Sequence, residues 1–463
     1  MPPFALTPLI IATALFMENL DGSALATALP AMAADLHEDP VSLKLALTSY
    51  YLALAVFIPL SGWAADKFGA RKVFVSAIVI FVAASLCCGF STTLAGVVSS
   101  RVLQGAGGAM MVPVGRLVLL RSAARHELVR ALAYLTIPAL VGPLIGPPVG
   151  GFIATFFHWR YIFWMNAPIG ALGVVLSLLY IPDVREDNPP PLDVRGAALS
   201  GLGLSCLVSG FSVSGRGFAP AWVAGALVLI GAASLFAYWR HARRAAFPIL
   251  DLTLFGVPTF RAGVVGGFLF RVGAGAMSFL LPLLLQVGFA LSAYEAGLLT
   301  FIAAAGAIAM KVAAQPILRA FGFRRVLIVN TLLCAGFLTA NAAFTPQTSH
   351  WAIMATLLVG GFFRSLEFTS LNAICIADVD RAIMSRATSL SAVAQQLSSS
   401  AGVAIGAAAL ETARALHGGG DLLWGDFGPA FFVVASASLG ALPFFTGLSA
   451  SAGDEVAGRA PAR

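Results

Sequence analysis

Apolar stretches, each near the ~20 residues that a helix needs to cross a bilayer, recur from one end of the chain to the other. They predict helices at roughly 5–29, 43–64, 73–92, 95–119, 131–156 and 161–181, then at roughly 196–215 and 220–239. A last set is predicted at roughly 260–287, 296–317, 325–344, 351–375, 386–411 and 428–449, about fourteen in all. The expected fold class is therefore an all-α membrane protein. The clearest hydrophilic break runs from Pro182 to Asp193 and contains Asp183, Arg185, Glu186, Asp187 and three consecutive prolines from Pro189. It divides the chain into a first six-helix group (1–182), a linker with two additional helices (183–250), a second six-helix group (251–450) and a cytoplasmic tail (451–463).

The basic residues between these stretches are unevenly shared. One set of alternate loops holds Lys67, Arg71, Lys72, Arg121, Arg125, Arg130, Arg185, Arg195, Arg240, Arg243, Arg244, Arg319, Arg324, Arg325, Arg381 and Arg386. The opposite set holds Lys44, Arg160, Arg216 and Arg414. The positive-inside rule then places both termini in the cytoplasm, as an even number of spans requires. The stretch Lys67-Phe68-Gly69-Ala70-Arg71-Lys72-Val73 is echoed by Ala320-Phe321-Gly322-Phe323-Arg324-Arg325-Val326. Each copy joins the second and third helix of its group, as expected for a duplicated bundle of the kind found in secondary transporters. The pair at about 196–239 falls outside the duplication and reads as an insertion.

Composition agrees with the pattern. Hydrophobic residues make up 59% of the chain against 11% charged, with a mean hydropathy of +0.89; a soluble domain of this size would not tolerate that on its surface. The net charge of +7 is a matter of topology and needs no nucleic acid. Met1-Pro2-Pro3-Phe4 carries no basic side chain and the apolar run outlasts a signal peptide, so the first stretch is expected to remain as a membrane helix. Cys87, Cys88, Cys206, Cys334 and Cys375 form no CxxC pattern and read as small membrane hydrophobes. The histidines (His37, His126, His158, His241, His350, His417) are scattered singly. Neither a metal site nor the convergent cluster of a membrane-embedded enzyme is expected.

Charges inside a bilayer are functional candidates. Glu18 and Asp21 lie three residues apart, on one helix face. A carboxylate in low dielectric can exist neutral or charged at physiological pH, as a proton-coupled carrier requires. Arg101 is costly inside an apolar helix unless it faces a cavity, meets a carboxylate, or anchors near a membrane face. Arg364 and Glu367 are also three apart and are expected to form a static intrahelical pair, with proton or cation binding at Glu367 as the other reading. Lys311 and Arg271 are candidates to neutralise a carboxylate across the bundle, while Arg116 can snorkel from a helix end. Gly142, Gly146 and Gly150 recur every fourth residue and form a seam without side chains, open to close packing. Pro143, Pro147 and Pro148 predict a bend beside it. In the first loop, Asp66 can latch two helix ends by pairing with Arg71 or a helix N-terminus, or simply belong to a solvated cluster.

Several of these stretches resemble the signatures of one family. Gly62-Trp63-Ala64-Ala65-Asp66-Lys67-Phe68-Gly69-Ala70-Arg71-Lys72 resembles the loop signature of the major facilitator superfamily, through Gly62, Asp66, Gly69, Arg71 and Lys72. The second copy departs from it, with Arg319 where Asp66 would be, so a latch would be carried mainly by the first half. Arg101-Val102-Leu103-Gln104-Gly105-Ala106-Gly107-Gly108 resembles the fourth-helix signature of the proton-coupled members. The glycines lie inside a membrane helix with no preceding strand, which excludes a nucleotide loop. Gly142-Pro143-Leu144-Ile145-Gly146-Pro147-Pro148-Val149-Gly150-Gly151 is similar to the antiporter signature of the fifth helix in exporters. The stretch from Leu20-Asp21 to Leu29-Pro30 resembles the opening of fourteen-helix drug/proton antiporters. Trp159-Arg160 with Asn166, Pro168 and Gly170, Leu192-Asp193 with Gly196, and Gln395-Gln396-Leu397 with Gly402 to Gly406 follow that subfamily too.

The resemblance implies the major facilitator fold with two inserted helices, in a bacterial inner membrane, and export of organic compounds or drugs in exchange for protons by alternating access. Asp21 would carry the proton, with Glu18 and Glu367 in reserve and Arg101 tuning the site. Asp66 and Arg71 would latch the cytoplasmic gate, and the Gly142–Gly151 helix would keep the outer side closed. The proton gradient would be the energy source, with no cofactor; protons, a small organic substrate and the bilayer would be the partners, and a periplasmic adaptor is compatible with this scheme. A proton-linked carrier of a metabolite or siderophore shares the fold and charges, and a transport-dead sensor would keep the scaffold without needing titratable carboxylates.

Overall fold

The computed structural model describes residues 3–122, 128–183, 185, 191–213, 220–380 and 383–457. Of the residues singled out above, Arg125, His126, Glu186, Asp187, Pro189, Arg216 and Arg381 lie outside this set, as do the side chains of Arg121 and Arg130. The described residues are helical, with no strand among them. The chain divides into two compact units, Met1–Leu207 with Leu227–Ile249, and Val208–Ala226 with Leu250–Arg463.

The first unit begins with α1 (Pro3–Leu36). The next expected helix is broken into α2 (Lys44–Phe57) and α3 (Leu60–Phe68), which meet at 55°. Pro59 stands at the break, where it removes an amide donor, while Ile58 and Pro59 themselves keep right-handed helical dihedrals. Then come α4 (Ala70–Phe90), α5 (Leu94–Ser122), α6 (Leu128–Phe156), the single turn α7 (Tyr161–Trp164) and α8 (Asn166–Tyr180). Next follow α9 (Val194–Val213) and α10 (Ala221–Ala242). Asp193 organises the start of this pair: it accepts from the Gly196 amide at 2.8 Å, pairs with His241 Nε2 at 2.7 Å and accepts from the Ile249 amide at 3.3 Å.

In the second unit, α11 (Pro258–Arg261) runs through a π-helical turn (Ala262–Gly266) into α12 (Gly267–Leu283). It continues with α13 (Ala293–Phe321), α14 (Phe323–Ala340), α15 (His350–Ala377), α16 (Met384–Leu416), α17 (Phe427–Leu439) and α18 (Leu442–Thr446). A last turn, α19 (Asp454–Ala457), touches α13 and α15. Ser292 and Glu295 close a reciprocal capping box at the start of α13.

The duplication read from the sequence is visible in the packing. In the first unit α1 packs on α6, α2 on α5, and α4 on α8; in the second α12 packs on α16, α13 on α15, and α14 on α17. First helix meets fifth, second meets fourth, and third meets sixth, twice over. Both copies of the repeated loop turn on a glycine with positive φ, Gly69 at 95° and Gly322 at 73°. Each glycine ends one helix and begins the next, a conformation that a Cβ would strain.

Among the described residues, eleven helices are long and apolar enough to cross a membrane, twelve when α2 and α3 count as one span. The expected count of about fourteen is not reached by this measure. Helix α16 is outside this set, and its first half is dense in polar side chains (Gln395, Gln396, Ser398, Ser399, Ser400). The stretch expected at 131–156 contributes the shorter apolar helix Val141–Phe156.

Candidate functional site

The glycine seam of α6 is a contact surface for α1. A Cβ on Gly142 would lie 3.0 Å from the Phe16 carbonyl oxygen and 3.1 Å from the Leu20 nitrogen. One on Gly146 would collide with Ser23 Oγ, and one on Gly150 would lie 2.7 Å from Ala24 Cα and collide with its carbonyl oxygen. The two backbones therefore approach as only glycine allows. The Ser23 and Thr27 hydroxyls span the same gap, donating to the carbonyls of Gly142 at 3.3 Å and Pro147 at 3.4 Å. Helix α6 remains continuous past Pro143, Pro147 and Pro148, and Gly151 is buried with the seam.

On α1, within this clamp, lies Asp21, fully buried. Its Oδ2 receives Arg101 Nη1 from α5 at 2.5 Å. Its Oδ1 receives Gln104 Nε2 at 3.1 Å and Asn166 Nδ2 at 2.8 Å. Arg101 Nη1 also donates to Gln104 Oε1 at 2.8 Å, and Nε to the Ala46 carbonyl at 3.1 Å. The Tyr50 ring covers the guanidinium, 4.1 Å from its carbon. Asn166 Nδ2 reaches Ser85 Oγ at 2.9 Å, and Ser85 donates to the Phe163 carbonyl at 2.9 Å. Arg101, Gln104, Asn166 and Ser85 are all fully buried, so four helices supply one dry polar cluster. Two groups in it have no partner, the donor Arg101 Nη2 and the acceptor Asn166 Oδ1. A pair of this kind holds the charged form of both members only while geometry and extra hydrogen bonds compensate desolvation. The unused donor and acceptor give it a second way to arrange its bonds.

Glu18 stands one turn away and half-buried, with Tyr50 Oη donating to Oε1 at 3.5 Å and Oε2 without a partner. The sequence pointed to Asp21, Arg101 and Glu18. Gln104 stood in the fourth-helix signature without a role of its own, while Ser85 and Tyr50 carried no signal. Asn166 belonged to a quoted signature without a role; the fold brings it to Asp21 across 145 positions.

The loop signature is arranged around Gly69. The Asp183 carboxylate sits so close above it that a Cβ there would lie 2.5 Å from Oδ1. Arg71 Nη1 donates to the Ile181 carbonyl at 3.5 Å. Asp66 is half-buried and Lys72 exposed, with exposed Gly62 one turn before Asp66. Thus Gly69 and Arg71 tie the start of α4 to the chain leaving α8. Trp159 and Arg160 act at the other end of the bundle, donating to Asp35 Oδ2 of α1 at 3.1 and 2.7 Å.

In the second unit, Glu367 is fully buried on α15. It accepts from Asn330 Nδ2 at 2.9 Å and Thr331 Oγ1 at 3.0 Å, both on α14. The intrahelical pair with Arg364 is not formed. Residues three apart differ by about 60° around a helix. That angle aims Glu367 at the polar edge of α14 and Arg364 at a cavity bordered by α12, α14 and α15, lined among others by Phe270, Met277, Phe337 and Asn341. Arg364 has no hydrogen-bond or ion-pair partner among the described residues. Lys311 and Arg271 form no direct ion pair with a carboxylate among the described residues, although Arg271 interacts electrostatically with Glu367 across the bundle. Lys311 Nζ donates to Thr369 Oγ1 at 3.0 Å. Arg271 Nη2 donates to Asn372 Oδ1 at 2.8 Å, leaving Nε and Nη1 without partners. Arg116 is exposed. The cysteines are free, and no group of acidic, histidine or cysteine side chains among the described residues could hold a metal ion.

Comparison with known proteins matches this arrangement to one family. Residues 11–403 match the Major Facilitator Superfamily. Relatives named multidrug resistance protein MdtD are 36% identical in Pectobacterium carotovorum and 37% identical in Klebsiella pneumoniae. The matches cover 86% of this chain in each case, and 85% and 84% of the relatives. Among solved structures, a D-xylose–proton symporter superposes with a TM-score of 0.68 at 16% identity, over 96% of this chain and 97% of that one. The human organic anion transporter MFSD10 superposes with a TM-score of 0.63 at 13% identity, over 96% and 100%. At these identities the structures speak for the fold, and the sequence matches, which run nearly the whole chain, carry the assignment. The chain belongs to the Major Facilitator Superfamily.

Proposed function

We propose that this protein is a proton-coupled antiporter that exports organic, drug-like solutes across a bacterial inner membrane, with both termini in the cytoplasm. The observation that carries the reading is the buried Asp21–Arg101 pair, held by Gln104 and Asn166 and set on the helix against which the glycine seam closes. A proton reaching Asp21 removes the charge that Arg101 pairs with. The resulting O–H needs an acceptor, and Asn166 Oδ1 is an unused one in the same cluster; Arg101 in turn has an unused Nη2 donor to re-form its bonds. Loading and release of one proton thus exchange two arrangements of four helices, which is what a coupled carrier needs at its switch. The drug-like cargo rests on the relatives named for multidrug resistance, and the direction of transport on the seam's likeness to the exporter signature.

The test is the pH inside proteoliposomes, or everted vesicles, when lipophilic cations and a panel of organic acids are added to wild type and Asp21→Asn side by side. Substrate-dependent proton movement through wild type, lost in the variant, is the expected result. Equal signals from both would remove Asp21 from the coupling step.

A further inference from the structure

The second unit buries an acid and a base on the counterparts of α1 and α5, with the signs exchanged. In the first unit the acid Asp21 is on α1 and the base Arg101 on α5; here the base Arg271 is on α12 and the acid Glu367 on α15, both fully buried. Helices α12 and α15 touch and the two groups attract each other, yet no ion pair joins them. Glu367 stands seventeen residues from His350 and ten from Ala377. At ~1.5 Å per residue that is about 15 Å or more from either end of the helix.

The partners of Glu367 are neutral, Asn330 Nδ2 at 2.9 Å from Oε2 and Thr331 Oγ1 at 3.0 Å from Oε1. A carboxyl group so deep, with no cation in contact, neutralises by holding a proton. The two contacts fit that neutral acid. Asn330 Nδ2 donates to Oε2, and the Thr331 hydroxyl, which donates or accepts equally well, takes the O–H of Oε1. Arg271 is in the complementary condition. Its Nη2 donates to Asn372 Oδ1 at 2.8 Å, while Nε and Nη1, both buried, have no partner. Buried N–H groups are costly to leave unmade, and these two stand ready for a second arrangement.

The other ionisable groups at this level are the Cys334 thiol on α14, Lys311 on α13, which donates to Thr369, and Arg364 on α15 itself. None is bonded to the Glu367 carboxyl. Cys375, Arg261 of α11, Arg386 of α16 and the acids Asp454 and Glu455 of α19 belong to the C-terminal end of α15, where Thr259 meets Asp378 and Gly453 meets Ile374. Glu411 and Arg414 lie at the opposite end of α16.

We infer that Glu367 is a second proton-binding site, with Arg271 as the counter-charge that takes over when the proton leaves. Release breaks the O–H bond, passes the proton to water and leaves a carboxylate. A turn of that side chain away from Thr331 brings it to the unused N–H groups of Arg271. The inference rests on the reading of the chain as a proton-coupled carrier and adds to it a second proton, held apart from Asp21.

Infrared spectra of the full-length protein in lipid nanodiscs test this without substrate or turnover, since a protonated carboxylic acid has a C=O stretch that a carboxylate lacks. At neutral pH wild type should show such a band, lost in Glu367→Gln and kept in Asp21→Asn, and it should fade as pH rises. Arg271→Met removes the counter-charge, so there the band should persist to a pH higher by about one unit or more; Arg271→Lys should return it toward the wild-type range. Glu367→Gln can keep both hydrogen bonds of the neutral acid, so its unfolding midpoint at neutral pH should match wild type, and midpoints show that the Arg271 variants are folded. No band from Glu367 at neutral pH, a band that never fades, or one indifferent to Arg271→Met overturns the site. A band that behaves as described in a protein that exchanges no protons would sink the antiport reading and leave the site standing.

Discussion

Arg101→Met keeps an unbranched apolar stem and removes the guanidinium with its charge, and the structure fixes what is lost. Asp21 would keep the N–H groups of Gln104 and Asn166, at 3.1 and 2.8 Å, but would lose the cation on its carboxylate. Breaking a fully buried pair by removing one partner costs about 3–5 kcal/mol. The two remaining neutral donors place the expected loss at the lower end, about 3 kcal/mol. Asp21→Asn leaves Arg101 with the Ala46 carbonyl, the Gln104 oxygen and the Tyr50 ring, and the same range applies. The double variant carries neither charge, so its loss should fall short of the sum of the two by about 2–3 kcal/mol. The assay is reversible unfolding in mixed detergent and sodium dodecyl sulfate, followed by tryptophan fluorescence, for wild type, both single variants and the double. A loss below about 1 kcal/mol in both single variants, or a coupling within about 0.5 kcal/mol of zero, would refute the pair as a stability element of the first unit.

Three further outcomes follow from the packing and the loops. Gly150→Ala drives a methyl into the Ala24 backbone and should cost about 1–3 kcal/mol with no side-chain rescue, whereas the loss in Gly146→Ala, blocked chiefly by Ser23, should be relieved in part by Ser23→Gly in the same unfolding assay. Asn330→Ala leaves a Glu367 oxygen and the Phe363 carbonyl without their donor, an expected loss of about 1.5–3 kcal/mol against about 1 kcal/mol for Thr331→Val. Asp251, in the segment before α11, is pushed up by burial, but the Thr253 hydroxyl and amide and Arg386 more than offset this and hold its carboxyl below the ordinary value. Its contribution should be complete above about pH 4 and fade as pH falls through the lowered folded value, so the gap in unfolding midpoint between wild type and Asp251→Asn should close on acidification; an unchanged gap would contradict the assignment.

The amino-acid pattern carried the fold far because a bilayer leaves so few options for the backbone. Apolar runs marked the helices, and the Gly69 and Gly322 echoes marked the same turn in each half. The Gly142–Gly150 spacing announced a close approach but not its partner; only the fold identifies that as α1. Asp21 and Arg101 were legible because an isolated charge in an apolar run needs a reason. Their companions were not, since Ser85 and Asn166 are ordinary polar residues until tertiary packing aims them. The expected Arg364–Glu367 pair failed for a related reason. Spacing along one helix says which side chains can meet, whereas the better partner for Glu367 lay on a neighbouring helix, at Asn330 and Thr331.

The repeated helix pairing has a consequence for how such a chain changes over generations. Both units pair first helix with fifth and second with fourth, with backbone meeting backbone at glycines such as Gly150 and Gly402. An ancestral duplication would hand down that framework without constraining the side chains that project elsewhere. The charges have diverged accordingly: an acid on α1 forms a direct ion pair with a base on α5, while the base on α12 and the acid on α15 interact without a direct ion pair, each hydrogen-bonded to neutral side chains. Each half is therefore free to specialise while the helix pairing that both inherited stays the same.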